Sequence, residues 1–236
     1  MPSSASGTRP RATGSVPFAP PGSAMPALPF ISLDGLDGTG KSTQCRLLAD
    51  WLRSKGYAVT TCVDPGGTEL GAKVRELLLF GKHHRIGPRS EALLFMASRA
   101  ELVDQVIRPA LSRGEVVVSD RYLLANVVYQ GHAGGLPPGE LWEVGRFSTG
   151  GVVPHLTLVL DLPPDAARAR RGREADRMES RGTEFDRRVR DGFLAEAAAD
   201  PVRVKVIDAV PPVEVVHTAV VREVETLLAS SHLPAT

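Results

Sequence analysis

The chain has 236 residues, 42% of them hydrophobic and 23% charged, enough for one α/β domain with a full core and too few for two large ones. A net charge of +1 argues against a surface that coats nucleic acid, and no apolar stretch is long enough to span a bilayer. Cys45 and Cys62 form no C-x-x-C pair and follow no secretory segment, so reduced core thiols in a cytoplasmic compartment are expected.

Residues 1–26 are rich in Pro, Ser, Gly and Ala, carry Arg9 and Arg11 and lack acidic residues, so they are expected to be a disordered, dispensable tail, with Met25 a possible start. Leu28, Phe30, Ile31 and Leu33 then form an apolar run that leads into G-L-D-G-T-G-K-S, from Gly35 to Ser42. This is a phosphate-binding loop. Gly35, Gly38 and Gly40 let successive backbone N–H groups curl around phosphate oxygens without a Cβ in the way, and the following helix adds its positive dipole end. In such a loop Lys41 reaches the β- and γ-oxygens, and Ser42 ligates Mg²⁺.

Cys45, Leu48, Ala49 and Leu52 recur at helical spacing up to Gly56, and Tyr57 to Val63 reads as a strand. Asp64-Pro65-Gly66-Gly67-Thr68 is a loop, followed by a helix from Glu69 to Phe80 and a basic turn from Gly81 to Pro88. Leu102, Val103, Val106, Ile107, Ala110 and Leu111 share one face of a long helix, kinked by Pro109 and stopped at Gly114. Val116, Val117 and Val118 make a short buried strand that runs into Asp120-Arg121-Tyr122. Further strands are expected at Leu156–Leu162 and Val202–Ile207, and a closing helix from Pro212 to Ala229, with residues 231–236 flexible. Apolar strands alternating with helices predict a five-stranded parallel sheet covered on both faces, with ligands at its C-terminal edge.

The chain has no Asn-Lys-x-Asp base-reading motif, as a GTPase switch would, and no extra lysine early in the loop, as a partition-type ATPase would. What remains is a kinase of small phosphorylated acceptors. In order, the chain contains L-D-G-L-D-G-T-G-K-S-T, D-P-G-G-T, L-L-F-M-A-S-R-A-E, D-R-Y-x-x-x-N-x-x-Y-Q-G and D-R-M-E. From about Phe30 to Val220 it resembles the thymidylate kinases, which phosphorylate dTMP with ATP. The resemblance implies a P-loop nucleoside-monophosphate-kinase fold with a lid segment, at about residues 168–182 of a kinase domain spanning residues 27–230. It also implies Mg²⁺ as cofactor, a homodimer packed through helices, and a cis bond before Pro65.

By the same resemblance, residues Gly35, Leu36, Asp37, Gly38, Thr39, Gly40, Lys41, Ser42 and Thr43 hold ATP, and Asp37 also accepts from the sugar 3′-hydroxyl. Phe95 and Arg99 lie four apart, so a helix presents both to one ligand; the family stacks thymine on the first and bonds O4 with the second. Asn126, Tyr129 and Gln130 take the places of base and deoxyribose contacts, and Arg75 that of the arginine for the dTMP phosphate. Asp120 would hold Mg²⁺ with Ser42, and Arg121 would bridge acceptor and donor phosphates. Arg168, Arg170, Arg171, Arg173, Arg177 and Arg181 surround Gly172, as in the arginine-bearing lid of the bacterial type. Of these, Arg168, Arg171 and Arg173 are expected, as a group, to join Lys41 and Arg121 in catalysis. Val63-Asp64-Pro65 and Ala125 depart from the usual Arg-Glu-Pro and serine. They leave open a kinase of another pyrimidine deoxynucleotide, and a nucleotide-binding protein without turnover is the remaining alternative.

Overall fold

The computed structural model describes residues 29–80, 86–170 and 181–230. The expected tail at residues 1–26, the last six residues, and Arg171, Arg173 and Arg177 of the expected lid lie outside the described residues. No described helix is long and apolar enough to cross a membrane.

Among the described residues, β1 (Phe30–Gly35), β2 (Val59–Val63), β3 (Val116–Asp120), β4 (Leu156–Asp161) and β5 (Val204–Asp208) form one parallel sheet in the order β2-β3-β1-β4-β5. The period of two in a strand sorts its side chains. Ile31, Leu33, Val116 and Val118 join the core on one face, whereas Phe30 and Val117 join that on the other. The central strands are buried nearly throughout, as the apolar runs predict, while β2 and β5 are edges and partly exposed. Both edge strands are shorter at their starts than expected. At β5, the Asp200 carboxylate takes the backbone N–H of Arg203 at 3.2 Å, a local turn that leaves Val202 exposed.

The helices are α1 (Lys41–Ser54), α2 (Glu69–Phe80), α3 (Pro88–Leu102), α4 (Arg108–Ser112), α5 (Leu123–Asn126), α6 (Pro138–Ser148), α7 (Pro164–Arg170), α8 (Thr183–Ala199) and α9 (Val213–Ser230). The kink expected at Pro109 takes the form of a π-helical turn, Val103–Ile107, between α3 and α4. Proline lacks an N–H and its ring presses on the carbonyl four residues back, so the widened turn absorbs the misfit. A second π-helical turn, Val127–His132, continues α5 and carries Tyr129 and Gln130.

Three loops at the C-terminal edge have backbones fixed by their residues. Gly35 sits at φ 132°, where a Cβ would lie 2.5 Å from the Leu160 carbonyl oxygen, so β1 can turn into the phosphate loop only through glycine. Asp64-Pro65 is cis, as expected. Arg121 adopts φ 71° directly after β3, alone in this among the described non-glycine residues.

Candidate active site

A cavity of about 570 Å³ opens where these loops converge. The phosphate loop supplies one wall through Asp37, Gly38, Gly40, Lys41, Ser42 and Thr43, and the Val63–Pro65 segment and Arg75 of α2 supply another. Phe95 and Arg99 of α3, with Ala125, Asn126, Tyr129 and Gln130, close the far end, and Asp120, Arg121 and Arg170 also reach it.

Each side chain is held by a contact its position in the sequence makes available. Lys41 Nζ donates to the Leu36 carbonyl at 2.7 Å and lies 3.6 Å from Asp37, and the Thr39 hydroxyl donates to the same carbonyl at 2.9 Å. Gly35, Leu36 and Thr39 thus frame the loop from behind. Arg121 Nη1 donates to the Gly35 carbonyl at 2.9 Å, and its Nη2 to Asp37 at 2.8 Å and to the Tyr129 hydroxyl at 3.2 Å. The Ser42 hydroxyl donates to Asp120 at 2.5 Å. Arg75 reaches back to the Pro65 carbonyl at 2.8 Å. Phe95 packs on Val74 and Leu78 while its remaining surface faces the cavity.

Burial shapes the charges. It lowers the Lys41 ammonium below its ordinary range, with the Arg121 charge acting the same way. It raises Asp64 against the pull of Arg99, and lifts the Tyr129 phenol, so the ring stays neutral. Asp34, the last residue but one of β1, is fully buried with neither carboxylate oxygen hydrogen-bonded among the described residues, and burial pushes it up to about 7 despite Arg121 and Lys41. Cys62 is pushed up to about 12 by burial, and Cys45 well above its usual range, as unreactive thiols. Lys41, Arg75, Arg99, Arg121 and Arg170 outnumber Asp37, Asp64 and Asp120 around the cavity, which therefore suits anions.

The model of the thymidylate kinase family matches residues 33–220. The chain belongs to that family. A thymidylate kinase of Symbiobacterium thermophilum is 46% identical over 84% of this chain and 94% of its own. One from Rhodopirellula baltica is 49% identical over 78% and 75%. The crystal structure of a thymidylate kinase from Ehrlichia chaffeensis superposes with a TM-score of 0.70 at 32% identity, over 85% of this chain and 99% of that one. The sheet described above is accordingly that of the P-loop nucleoside-monophosphate kinases.

Among the described residues, one of the arginines expected in the site stands elsewhere. Arg168 does not line the cavity; its Nε donates to Asp186 of α8 at 2.8 Å, and α7 turns it toward that helix. Arg170, two residues on, reaches the cavity while donating to the Ala209 and Val210 carbonyls at 2.7 and 2.9 Å. Gln130 is committed at both ends of its amide, to Glu91 and Asn126. The expected site omits Arg170, which lines the cavity, and the buried acids Asp34 and Glu91, which do not line it. A signal existed for two of them: Asp34 is an acid inside an apolar strand, and Glu91 precedes Phe95 and Arg99 at intervals of four on one helix face.

Asp34 generates a pH test. Its folded value, about 7, lies above the ordinary 3.8, so between them the folded protein keeps a proton that the unfolded chain releases. Its contribution to stability is complete below pH 3.8 and is lost as pH rises to about 7. Urea denaturation of the ligand-free protein is expected to show this loss, up to about 4 kcal/mol, and Asp34→Asn to remove it. Identical pH slopes in the two proteins would contradict the assignment.

Proposed function

We propose that this protein transfers the γ-phosphoryl group of MgATP to the 5′-phosphate of dTMP, giving dTDP and ADP, as a cytoplasmic homodimer that needs neither nucleic acid nor membrane. The observation that carries the reading is one cavity joining the phosphate loop to Phe95, Arg99 and Asn126, in a chain of this family. A triphosphate on the loop and a monophosphate laid toward Phe95 meet end to end beside Arg121.

The acceptor phosphate is already anionic, so no protein nucleophile is required and a strong general base is dispensable. Catalysis comes from positioning and from offsetting the negative charge that spreads over the transferred group. Lys41, folded back over the loop, is placed for the donor phosphates, and Arg121 for the junction between donor and acceptor. Arg75 is placed for the acceptor phosphate. Arg171 and Arg173 remain, as proposals, cations for the transferred group; Arg168 enters that set only by leaving Asp186. Asp37, bonded to Arg121, is within the cavity for the sugar hydroxyl, and Tyr129 for the face of the deoxyribose.

The residues present suit Mg²⁺. Ser42 and Asp120 offer hard oxygen donors, and no described cluster of three or more His, Cys, Asp or Glu side chains forms a self-sufficient cage. That combination fits an ion that keeps its waters and binds through one or two protein oxygens plus phosphates. Held by Ser42 and Asp120, the ion would offset negative charge on the donor phosphates.

The homodimer reading is supported by an apolar surface on neighbouring helices: Leu70 of α2, Leu93 of α3, and Val144 and Phe147 of α6 are exposed, Phe147 at 88%. Sedimentation is expected to give the mass of two chains, and Phe147→Asp that of one; a monomeric wild-type protein would overturn the reading.

Incubation with MgATP and a panel of monophosphates, followed by ADP release, is expected to show dTMP as the preferred acceptor. Lys41→Met should lower kcat by at least about 100-fold. No dTDP from the wild-type protein, or near-normal turnover in the variant, would refute the function as stated.

A further inference from the structure

Beneath the far end of the cavity runs a buried chain of hydrogen bonds whose direction is fixed by chemistry. Asp64 accepts from Arg99 Nε at 2.6 Å, and Arg99 Nη1 donates to Asn126 Oδ1 at 3.0 Å. Asn126 Nδ2 donates to Gln130 Oε1 at 2.7 Å, and Gln130 Nε2 donates to Glu91 Oε1 at 2.9 Å. Glu91 closes the series with Arg181, whose Nη2 lies 2.8 and 2.7 Å from its two oxygens and whose guanidinium stacks on Phe185 at 4.9 Å. Arg99, Asn126, Gln130 and Glu91 are all nearly fully buried.

An amide can face either way; its neighbours choose. A guanidinium only donates, and a carboxylate only accepts. Arg99 at one end therefore requires the oxygen of Asn126, and Glu91 at the other requires the nitrogen of Gln130. The two demands agree only in the observed direction, so both amides are locked. Arg99 Nη2 makes no hydrogen bond among the described residues. Together, Arg99 and Asn126 offer the cavity an N–H donor beside a carbonyl acceptor. That pair complements a pyrimidine with a 4-keto oxygen and an N3 proton, and opposes one with a 4-amino group and a bare N3.

We propose that Glu91, held by Arg181, is a positioning residue that enforces this direction through Gln130 and thereby sets keto-over-amino selectivity at the acceptor base. The proposal rests on the nucleotide-kinase reading above. Glu91 itself does not line the cavity, so its effect travels through Gln130 and Asn126. An amide in place of the carboxylate can donate as well as accept, so Gln130 can turn and set its own NH2 against Asn126 Nδ2, which costs Asn126 its second partner and leaves Arg99 alone to hold it.

The test compares dTMP with dCMP as acceptors for the wild-type protein and for Glu91→Gln, a change that preserves volume. The ratio of kcat/KM for the two acceptors is expected to fall by at least about tenfold in the variant, mainly through a higher KM for dTMP, with kcat little altered. Calorimetric dissociation constants for the two monophosphates should move in parallel. The double variant Glu91→Gln/Gln130→Glu exchanges carboxylate and amide, again facing the Asn126 nitrogen with a group that only accepts, and should recover most of the lost selectivity. Unchanged selectivity in Glu91→Gln, or a loss that the exchange does not recover, would overturn the proposal. Failure of the wild-type protein to form dTDP would instead count against the nucleotide-kinase reading, and the calorimetric ratios would still decide the role of Glu91.

Discussion

The guanidinium of Arg121 joins the phosphate loop to Tyr129 on the opposite wall of the cavity. It donates to the backbone of Gly35, to Asp37 and to Tyr129, and its Cζ lies over the Tyr129 ring, 5.0 Å from the ring centre. The planar fork matters here, because one side chain must satisfy acceptors in several directions at once. Its backbone is held at φ 71° with its N–H on the Leu33 carbonyl and its own carbonyl taken by Ser119 at 2.6 Å. A non-glycine residue in that region costs on the order of 1–3 kcal/mol, and this web of bonds offsets the cost. Gly35 meets the same point from the other side, since only a residue without Cβ brings β1 close enough to Leu160 for its carbonyl to receive Arg121.

The site stores charge in a place that resists it. Lys41, Asp34, Asp64 and Arg121 are all buried near one another; opposite charges among them offset part of the cost of burial, while Arg121 repels Lys41, and Asp120 and Asp64 repel Asp34. Asp34 is the least satisfied, with no hydrogen bond to either oxygen among the described residues. Such an arrangement suits a highly charged ligand, as the proposed phosphates and Mg²⁺ would be.

Much of this was legible in the sequence, for identifiable reasons. The phosphate loop, the cis-proline loop and the Asp120-Arg121 turn each carry glycine, proline or charge at the end of an apolar run, and α2 was bounded correctly because its periodicity is uninterrupted. The helices α6 and α8 were not anticipated. In α6, Pro138, Gly139 and Gly145 weaken the helical signal, and Gly145 is there because a Cβ would strike Leu123 at 2.3 Å. In α8, which begins just past the expected lid at residues 168–182, the stripe of Phe185, Val189, Phe193 and Ala197 is core, set among Arg187, Arg188 and Arg190. Arg168 and Gln130 show a different limit. Motif position put both beside the cavity, where Gln130 lies, yet which of two nearby arginines turns inward, and which way an amide faces, depends on partners elsewhere in the chain, Asp186 and Glu91.

The central claim is that the fork of Arg121 holds donor and acceptor in one arrangement. Arg121→Lys keeps the charge and removes the fork, so steady-state kinetics with dTMP and MgATP measures the claim directly. The account predicts that kcat for dTDP formation drops by at least about 100-fold, while ATP still binds to the intact phosphate loop within a few-fold of wild-type affinity. Turnover near that of the wild-type protein would contradict it.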